Sequence, residues 1–485
     1  MILRAILFAV FVCPVFAADI WVVHIEVGGL PKDLPVGGGI IPKVPAVYDA
    51  NAMKLTAYAL ARFLSENGYP YSRITTSVAR DDSVAVTVHF LVEPDERVCA
   101  GEPVIRGAGG RIGRMYFRDV QIVPGQLYNS ADVDETVRRL SMRPYVQNVT
   151  AESPIIVEDR QSLECEVRTA VTPITVAENR GLAVEGALGY ESGRGGGSGS
   201  MSGRLDLSLI NLLRMGETAD VSYMGTSTFQ RLKLSASMPW IFGLPFEAGG
   251  AAGLEIEDEG YGFFSGEFRT AMEVNARYRV GIAVKLSETV PPAGIDAPYM
   301  FYGADVFGAL IPKPRGRGET VWEFSGRTGS GVANRERAYA RSTMELTAGA
   351  HYPIFGDYAL VGRVCAMSLF TDEEYLPPAE MYRIGGHGSL RGYFEEEFAF
   401  RTALYSQAEA HYYFNRVGSI FIFIDGGFGF DSPRQLSLST AKEMLGYGVG
   451  IRFPSRLGTV SLEWARNMDD GWSLGRVHVG INSWM

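Results

Sequence analysis

The sequence predicts two small α+β modules followed by an all-β barrel of about sixteen antiparallel strands. Residues 18–172 mix strand-like alternation with helical periodicity, whereas residues 173–485 show strand-like alternation almost throughout. The chain also holds 57 glycines in 485 residues, which is well above the roughly 7% of average proteins, and 11% aromatic residues. Beyond the first twenty residues no uninterrupted apolar run reaches about 18 residues, which excludes a helical membrane protein.

The N-terminus predicts export from the cytoplasm. Arg4 precedes an apolar run over residues 5–12, and small or medium-sized residues follow at 15–17. Residues 1–17 are therefore predicted to be a signal peptide, with a short buried helix as the alternative. The net charge of −10 gives no indication of nucleic-acid binding.

Residues 18–98 are predicted to form the first module. Apolar residues recur at helical spacing behind Asp49 or Asn51, either of which can act as the N-cap, and the helix should end at Gly68. A Gly/Pro-rich stretch over residues 28–45 precedes this helix. The other predicted elements are strands over residues 20–27, 71–78 and 84–92.

Residues 99–172 repeat this order of elements and are predicted to form the second module. We expect a strand over residues 116–122, a helix over 130–140 and a closing hairpin over 148–157 and 163–171. Neither module shows a catalytic group of residues. An open sheet edge in such a module can accept an extended peptide as an added strand.

Two cysteines, Cys99 and Cys165, lie in the second module. In an oxidising compartment their thiols could form a disulfide, or both could be buried free thiols, and the sequence leaves both possibilities open. The chain has no Cys-x-x-Cys pair and no His-Glu-x-x-His motif. The sequence therefore predicts neither a metal site nor a cofactor.

Residues 173–485 alternate polar and apolar side chains in one segment after another. In one segment, Ser419 and Asp425 fall on one face of a strand, while Ile420 and Ile424 fall on the other. A soluble β-sandwich would alternate in the same way. About sixteen segments of roughly 20 residues each, aromatic residues at their ends and the predicted export together favour a transmembrane barrel of the outer membrane.

Two short motifs stand in the second half of the predicted barrel. A long loop over residues 371–398 contains Arg-Gly-Tyr, and the second strand after the loop contains Phe-x-Asp-x-Gly. The motif residues are Gly388, Ser389, Leu390, Arg391, Gly392 and Tyr393 in the loop, and Phe423, Asp425 and Gly427 in the strand. Both motifs resemble signatures of the outer-membrane protein assembly and translocation superfamily, which includes BamA, TamA and the two-partner secretion transporters.

The two N-terminal modules resemble POTRA domains, which precede a barrel of the bacterial surface antigen type in that superfamily. Gly68, Tyr69 and Pro70 match the usual break after the second helix of a POTRA domain. The first module departs from the family pattern, because the Gly/Pro-rich residues 28–45 stand where a first helix would be. The resemblance covers nearly the whole chain after residue 17.

The resemblance implies that the Arg-Gly-Tyr loop folds into the lumen of a 16-stranded barrel, where Arg391 pairs with Asp425. The strand parity agrees, because it places Asp425 and Glu409 on the lumen-facing side of their strands. A planar guanidinium suits such carboxylates better than an ammonium group does. The residues by themselves also allow an exposed Arg391 and a solvated Asp425.

The resemblance implies an outer-membrane assembly, insertion or translocation factor that is not an enzyme. Its POTRA domains would receive unfolded outer-membrane or secreted clients in the periplasm, its barrel would contact outer-membrane lipids, and periplasmic or inner-membrane accessory proteins could assist it. The alternative is a passive, porin-like channel with periplasmic domains. The chain contains no Gly-x-Ser-x-Gly motif and no Walker loop, so no hydrolase or nucleotide-dependent enzyme is indicated.

Overall fold

The structure, a computed structural model, describes most of the chain after residue 19. The described residues are 20–32, 34–35, 39–82, 84–107, 115–157, 168–179, 181–191, 200–226, 229–257, 260–274, 277–292, 297–310, 320–415, 418–432, 437, 439–455, 458–469 and 475–484. The predicted signal peptide and Cys165 lie outside them. The chain divides into two compact units, the first built mainly from residues up to Val176 and the second mainly from Ala177 onward.

The first module of the N-terminal unit packs one helix on a four-stranded sheet. Its elements are β1 (Trp21–Gly28), β2 (Ala46–Val47), α1 (Ala50–Glu66), β3 (Arg73–Arg80) and β4 (Ala85–Glu93). The sheet order is β2-β1-β4-β3, with β1 parallel to β4 and β3 antiparallel to it. The predicted helix is confirmed: the Asp49 side chain accepts a hydrogen bond from the Asn51 N–H at 2.8 Å and caps α1, whose Leu60 and Leu64 are fully buried.

The second module contains one described helix and two small sheets. Its elements are β5 (Cys99–Ala100), β6 (Val104–Arg106), α2 (Ser130–Ser141), β7 (Val146–Ala151), β8 (Ile155–Val157), β9 (Thr169–Val171) and β10 (Pro173–Glu178). The sheets have the orders β6-β10-β7 and β5-β9-β8. Cys99 is disulfide-bonded. Because Cys165 is outside the described residues, the pairing of these two cysteines stays a prediction.

The strand predicted over residues 116–122 is wrong. Tyr116 ends a helical segment, and the Asp119 N–H donates to the Tyr116 carbonyl at 3.0 Å in the turn that follows. Tyr116 and Ile122 are buried, as the alternation suggested, but a short apolar pattern fits a helical turn as well as a strand.

The second unit is a closed antiparallel barrel, in which sixteen strands are described. They are β11 (Gly181–Glu191), β12 (Ser200–Ile210), β13 (Thr218–Gly225), β14 (Phe229–Met238), β15 (Phe246–Glu257), β16 (Gly262–Val274), β17 (Tyr278–Val290), β18 (Tyr299–Leu310), β19 (Val321–Asn334), β20 (Ala338–Phe355), β21 (Tyr358–Thr371), β24 (Thr402–Tyr413), β25 (Ser419–Phe430), β26 (Lys442–Ser455), β27 (Gly458–Asn467) and β28 (Arg476–Trp484). Two further short strands, β22 (Tyr382–Ile384) and β23 (Phe398–Phe400), lie between β21 and β24. The predicted fold class is confirmed.

The barrel closes where its first strand meets its last. Strands β11 and β28 pair antiparallel, from Ala183 opposite Trp484 to Tyr190 opposite Val477. Residues 173–178 belong to the three-stranded sheet of the second module, so the predicted domain boundary at residue 173 lies before the first barrel strand, which begins at Gly181.

The two faces of the barrel strands differ in the way that the alternation predicts. On β25, Ile420, Ile422 and Ile424 are more than half exposed and point outward, whereas Phe423 and Asp425 point inward and are buried. Such an apolar outer face is what hydrocarbon requires. Among the described residues, no helix is long and apolar enough to cross a membrane.

Candidate functional site: an arginine loop in the barrel lumen

The longest described connection of the barrel, residues 372–401 between β21 and β24, is here called the arginine loop. It contains a short 3-10 turn, Pro378–Glu380, and a small hairpin in which Tyr382 pairs with Phe400 and Ile384 with Phe398. The hairpin fixes the backbone on both sides of the segment that carries Arg391.

Arg391 is 2% exposed and is held by carboxylates of the barrel wall. Its Nε and Nη2 donate to the two oxygens of Asp425, each at 2.7 Å, and its backbone N–H donates to Oδ2 of the same side chain at 3.0 Å. Its Nη1 donates to Oε1 of Glu409 at 2.5 Å. A bidentate contact of this kind combines charge with fixed geometry. Neither Arg391 nor Asp425 is therefore exposed to solvent.

The wall is shaped to receive the arginine closely. The guanidinium carbon lies 3.7 Å from the centroid of the Phe423 ring, which is a cation–π contact. Phe423 in turn lies over Gly448, its cross-strand partner on β26. Gly446, two residues earlier, leaves space that the Arg391 carbonyl fills, because a Cβ there would overlap that oxygen.

Glu409 connects the arginine to further polar groups. Its Oε2 lies 2.7 Å from Nε2 of His411 and 3.4 Å from an Nη of Arg452. Nδ1 of His411 in turn lies 3.1 Å from the Ser419 hydroxyl. His411 and Ser419 are buried and Glu409 is largely buried, and each has a partner, which is the condition under which a buried polar network is stable.

The residues beside Arg391 anchor the loop through apolar contacts and turns. Leu390 and Tyr393 are fully buried in a cluster with Cys365 of β21 and Met444 of β26. A Cβ at Gly427 would lie 3.1 Å from the Leu390 side chain. The Ser389 hydroxyl donates to the Gly385 carbonyl at 2.9 Å, while Gly388 has open space around it and borders a cavity.

Gly392 ties the loop to the last two strands. Its φ of +93° lies in the region that favours glycine. Its carbonyl accepts from Nδ2 of Asn467 at 2.6 Å and also from Nη1 of Arg476, the first residue of β28. The Arg476 guanidinium carbon lies 4.0 Å from the centroid of the Phe394 ring.

Sequence reasoning missed a second set of ion pairs on the opposite side of the loop. Arg383 contacts Glu255 at 2.9 Å and also Glu257, while Glu396 contacts Arg231 at 2.8 Å. Farther round the barrel, Arg341 binds Glu373 and Glu380 of the loop, at 2.5 and 2.6 Å. Strand parity could have placed Arg231, Glu255 and Arg341 in the lumen, but no local signal shows which loop residue each one meets.

A cavity of about 540 Å³ separates part of the loop from the first strands. Glu185 of β11 and Arg204 of β12 line it on one side, and His387 and Glu395 of the loop line it on the other. Nδ1 of His387 lies 3.1 Å from Glu463, and this hydrogen bond raises the pKa of the imidazole; burial raises the pKa of the Glu395 carboxyl. Among the described residues, no group of His, Cys, Asp and Glu could hold a metal ion.

Comparison with known proteins identifies the domain that carries this site. Residues 321–482 match the model of the Omp85 superfamily domain. This stretch includes the arginine loop, Glu409 and Asp425. A comparison with curated proteins finds no sequence relative.

Several solved structures share the fold over nearly the whole chain. BamA from Haemophilus ducreyi lacking POTRA domains 1–3 is 12% identical with a TM-score of 0.59, covering 96% of this chain and 100% of that one. CdiB from Acinetobacter baumannii is 12% identical with a TM-score of 0.55, covering 96% and 90%. CdiB from Escherichia coli is 13% identical with a TM-score of 0.54, covering 97% and 93%. Residues 321–482 therefore match the Omp85 superfamily domain, and the rest of the chain shares the fold of these solved structures.

Proposed function

We propose that this protein inserts or translocates client proteins at the bacterial outer membrane and has no enzymatic activity. Residues 18–98 and 99–172 would act as periplasmic POTRA domains that receive unfolded outer-membrane or secreted clients. The observation that carries the proposal is the seating of Arg391 on Asp425 and Glu409, since a loop bound inside the lumen suits a protein that handles clients better than an open pore. The match of residues 321–482 to the Omp85 superfamily domain supports the same role.

The seam between β11 and β28 is the proposed route by which client strands reach the membrane. Of its eight register pairs, three contain glycine, at Gly186, Gly189 and Gly480. Cross-strand side-chain pairs stabilise a sheet, and a pair that contains glycine lacks this contribution. Three of the eight register pairs of the seam therefore lack a cross-strand side-chain contribution.

The contacts of the arginine loop favour one side of this seam. The segment around Arg391 bonds to β24, β25, β27 and β28, whereas Glu185 and Arg204 of the first two strands face the 540 Å³ cavity. We propose that the loop holds the last strands in place when a client strand arrives at β11.

The proposal is tested by assembly of an unfolded β-barrel client on proteoliposomes that contain the purified protein. Arg391→Ala should lower the assembly rate, and Arg391→Lys should recover part of it, because an ammonium keeps the charge without the bidentate geometry. The matched control is Arg269→Ala, since Arg269 also faces the lumen but lies 4.0 Å from Glu267 and does not contact the loop. Normal assembly by Arg391→Ala in a correctly embedded barrel would contradict the role of the loop.

A passive channel is the second candidate, because the lumen retains cavities lined by charged residues such as Arg363 and Arg452. Single-channel conductance distinguishes the two functions. We expect small and infrequent openings for the native protein. Large, steady conductance together with no effect on any client would favour the channel. Accessory periplasmic or inner-membrane proteins stay a prediction.

A further inference from the structure

Two neighbouring turns of the barrel contain residues other than glycine with positive φ angles. Turn A is residues 211–217 between β12 and β13, and turn B is residues 239–245 between β14 and β15. Among the described residues, five that are not glycine have a positive φ, and four of the five lie in these turns. They are Asn211 (53°), Arg214 (56°), Trp240 (58°) and Phe242 (51°). Side chains other than glycine avoid this region unless the surroundings impose it, so the turns are candidates for a function.

Side-chain hydrogen bonds impose the conformation of turn A. Oδ1 of the buried Asn211 accepts from the Gly216 N–H at 3.0 Å. The Glu217 carboxylate accepts from the Met215 N–H at 3.0 Å and also from the Leu213 N–H. These bonds leave Leu212 and Leu213 exposed, the latter to 70%. Turn A is therefore an ordered turn that presents apolar side chains on its surface.

Turn B also presents apolar side chains, but backbone hydrogen bonds fix its conformation. The Gly243 N–H donates to the Trp240 carbonyl and the Leu244 N–H to the Ile241 carbonyl, both at 3.0 Å, which closes a tight 3-10 turn. Phe242 at the centre of this turn is 97% exposed, and Leu244 is about half exposed. Phe242 and Leu244 thus form an exposed apolar patch, and such patches mark contact with a partner or a membrane.

The surface that continues from these turns indicates what that environment is. The strands that the turns connect carry exposed, outward-facing apolar side chains, including Leu232 and Leu234 of β14 and Phe246 at the start of β15. This outer face is the part of the barrel that hydrocarbon covers. Arg214, also exposed, adds a cation to turn A.

We propose that turns A and B form a phospholipid anchor, with Leu213 and Phe242 inserted among acyl chains and Arg214 beside the lipid phosphates. Apolar residues next to a basic one are the composition that binds the membrane interface. The turns lie at the end of the barrel where β11 begins, so the leaflet involved is the periplasmic one if the orientation in the proposed function holds. The anchor would hold the bilayer against the ends of strands near the seam.

The anchor is tested by measuring depth in the bilayer, which requires no client and so can fail independently of the proposed function. A nitroxide is attached to Leu213→Cys or Phe242→Cys in a Cys365→Ala background, in nanodiscs of phosphatidylethanolamine and phosphatidylglycerol. We expect collisions with oxygen to dominate at both positions and collisions with a water-soluble nickel complex to be several-fold rarer than at Thr320→Cys. Thr320 is the control because it is exposed and lies just before β19, at the same end of the barrel.

Two outcomes would overturn the anchor. Accessibility to the nickel complex as high at residues 213 and 242 as at residue 320 would place the turns in water. Spin–spin broadening that disappears on dilution with unlabelled protein would instead assign the surface to a second copy of the chain. A further variant, Arg214→Glu, should place the labels at a shallower depth in phosphatidylglycerol-rich nanodiscs than the native arginine does. An unchanged depth would show that Arg214 does not contact the lipid phosphates.

Discussion

The guanidinium of Arg391 and the carboxylate of Asp425 form two parallel hydrogen bonds of 2.7 Å, and the backbone N–H of Arg391 donates a third to the same carboxylate. One aspartate on β25 therefore fixes both the side chain and the backbone of the arginine loop. Because both residues are almost fully buried, loss of Arg391 leaves Asp425 as an uncompensated charge, whereas loss of Asp425 leaves Arg391 with Glu409 as its main partner.

Asp425→Asn should release the arginine loop from the wall. An unpaired buried arginine costs about 3–5 kcal/mol, although Glu409 would retain part of the interaction. The reactivity of Cys365 reports whether the loop is seated, since this free thiol is 4% exposed and lies in one cluster with Leu390 and Tyr393 of the loop. We expect its labelling by a maleimide to become much faster in the variant. Glu323→Gln is the control, because Glu323 forms a half-exposed lumen pair with Arg363, and its variant should label as slowly as the native protein.

Gly446→Ala should displace the loop without any change of charge. The added methyl would overlap the Arg391 carbonyl, so either the loop or β26 must move, at a cost of about 1–3 kcal/mol. Gly426→Ala is the matched control, because the nearest atom to its Cβ is a Leu445 methyl at 3.6 Å. Thermal unfolding and Cys365 labelling should change for Gly446→Ala alone. Equal melting temperatures and equal Cys365 labelling rates in the two variants would show that the close approach at Gly446 does not seat the loop.

Arg476→Ala should loosen the start of the last strand while leaving the loop seated. Arg476 joins the Gly392 carbonyl and the Phe394 ring to β28, but the contacts of Arg391 do not depend on it. Hydrogen exchange of the amides at residues 476–478 should accelerate, and Cys365 should stay protected. Arg269→Ala, which removes a lumen cation 4.0 Å from Glu267, should affect neither measurement. Fast labelling of Cys365 in Arg476→Ala would mean that the seating of the arginine loop depends on the contacts of Arg476.

The seating of the loop should weaken as the pH rises through the folded pKa of His387. The hydrogen bond to Glu463 raises this pKa above its usual value, so protonated His387 contributes stability that is complete at low pH and is lost as the imidazole deprotonates. Glu395 and Arg391 of the loop and His478 of β28 also face this imidazole. The difference in melting temperature between the native protein and His387→Gln should therefore shrink as the pH rises above 6.5, the ordinary pKa of histidine. A constant difference would show that the protonation of His387 does not contribute.

Local patterns predict the parts of this fold that depend on neighbouring residues. The helix behind Asp49 was predictable because an N-cap and helical spacing lie within one segment. The inward position of Phe423 and Asp425 was predictable because strand side chains alternate strictly. The strand expected at residues 116–122 failed because a short apolar segment fits a turn equally well.

By itself the sequence predicted that residues 173–485 contain strands with one wet and one apolar face, and its two motifs indicated that an arginine loop and an acidic strand belong to the same barrel. Only the tertiary structure decided which charges meet, such as Glu396 with Arg231 and Arg341 with Glu380. It also decided that turns A and B present Leu213 and Phe242 outward. The physical reason is that side-chain parity is set by the covalent chain, whereas ion-pair partners depend on barrel closure, which brings together residues far apart in sequence.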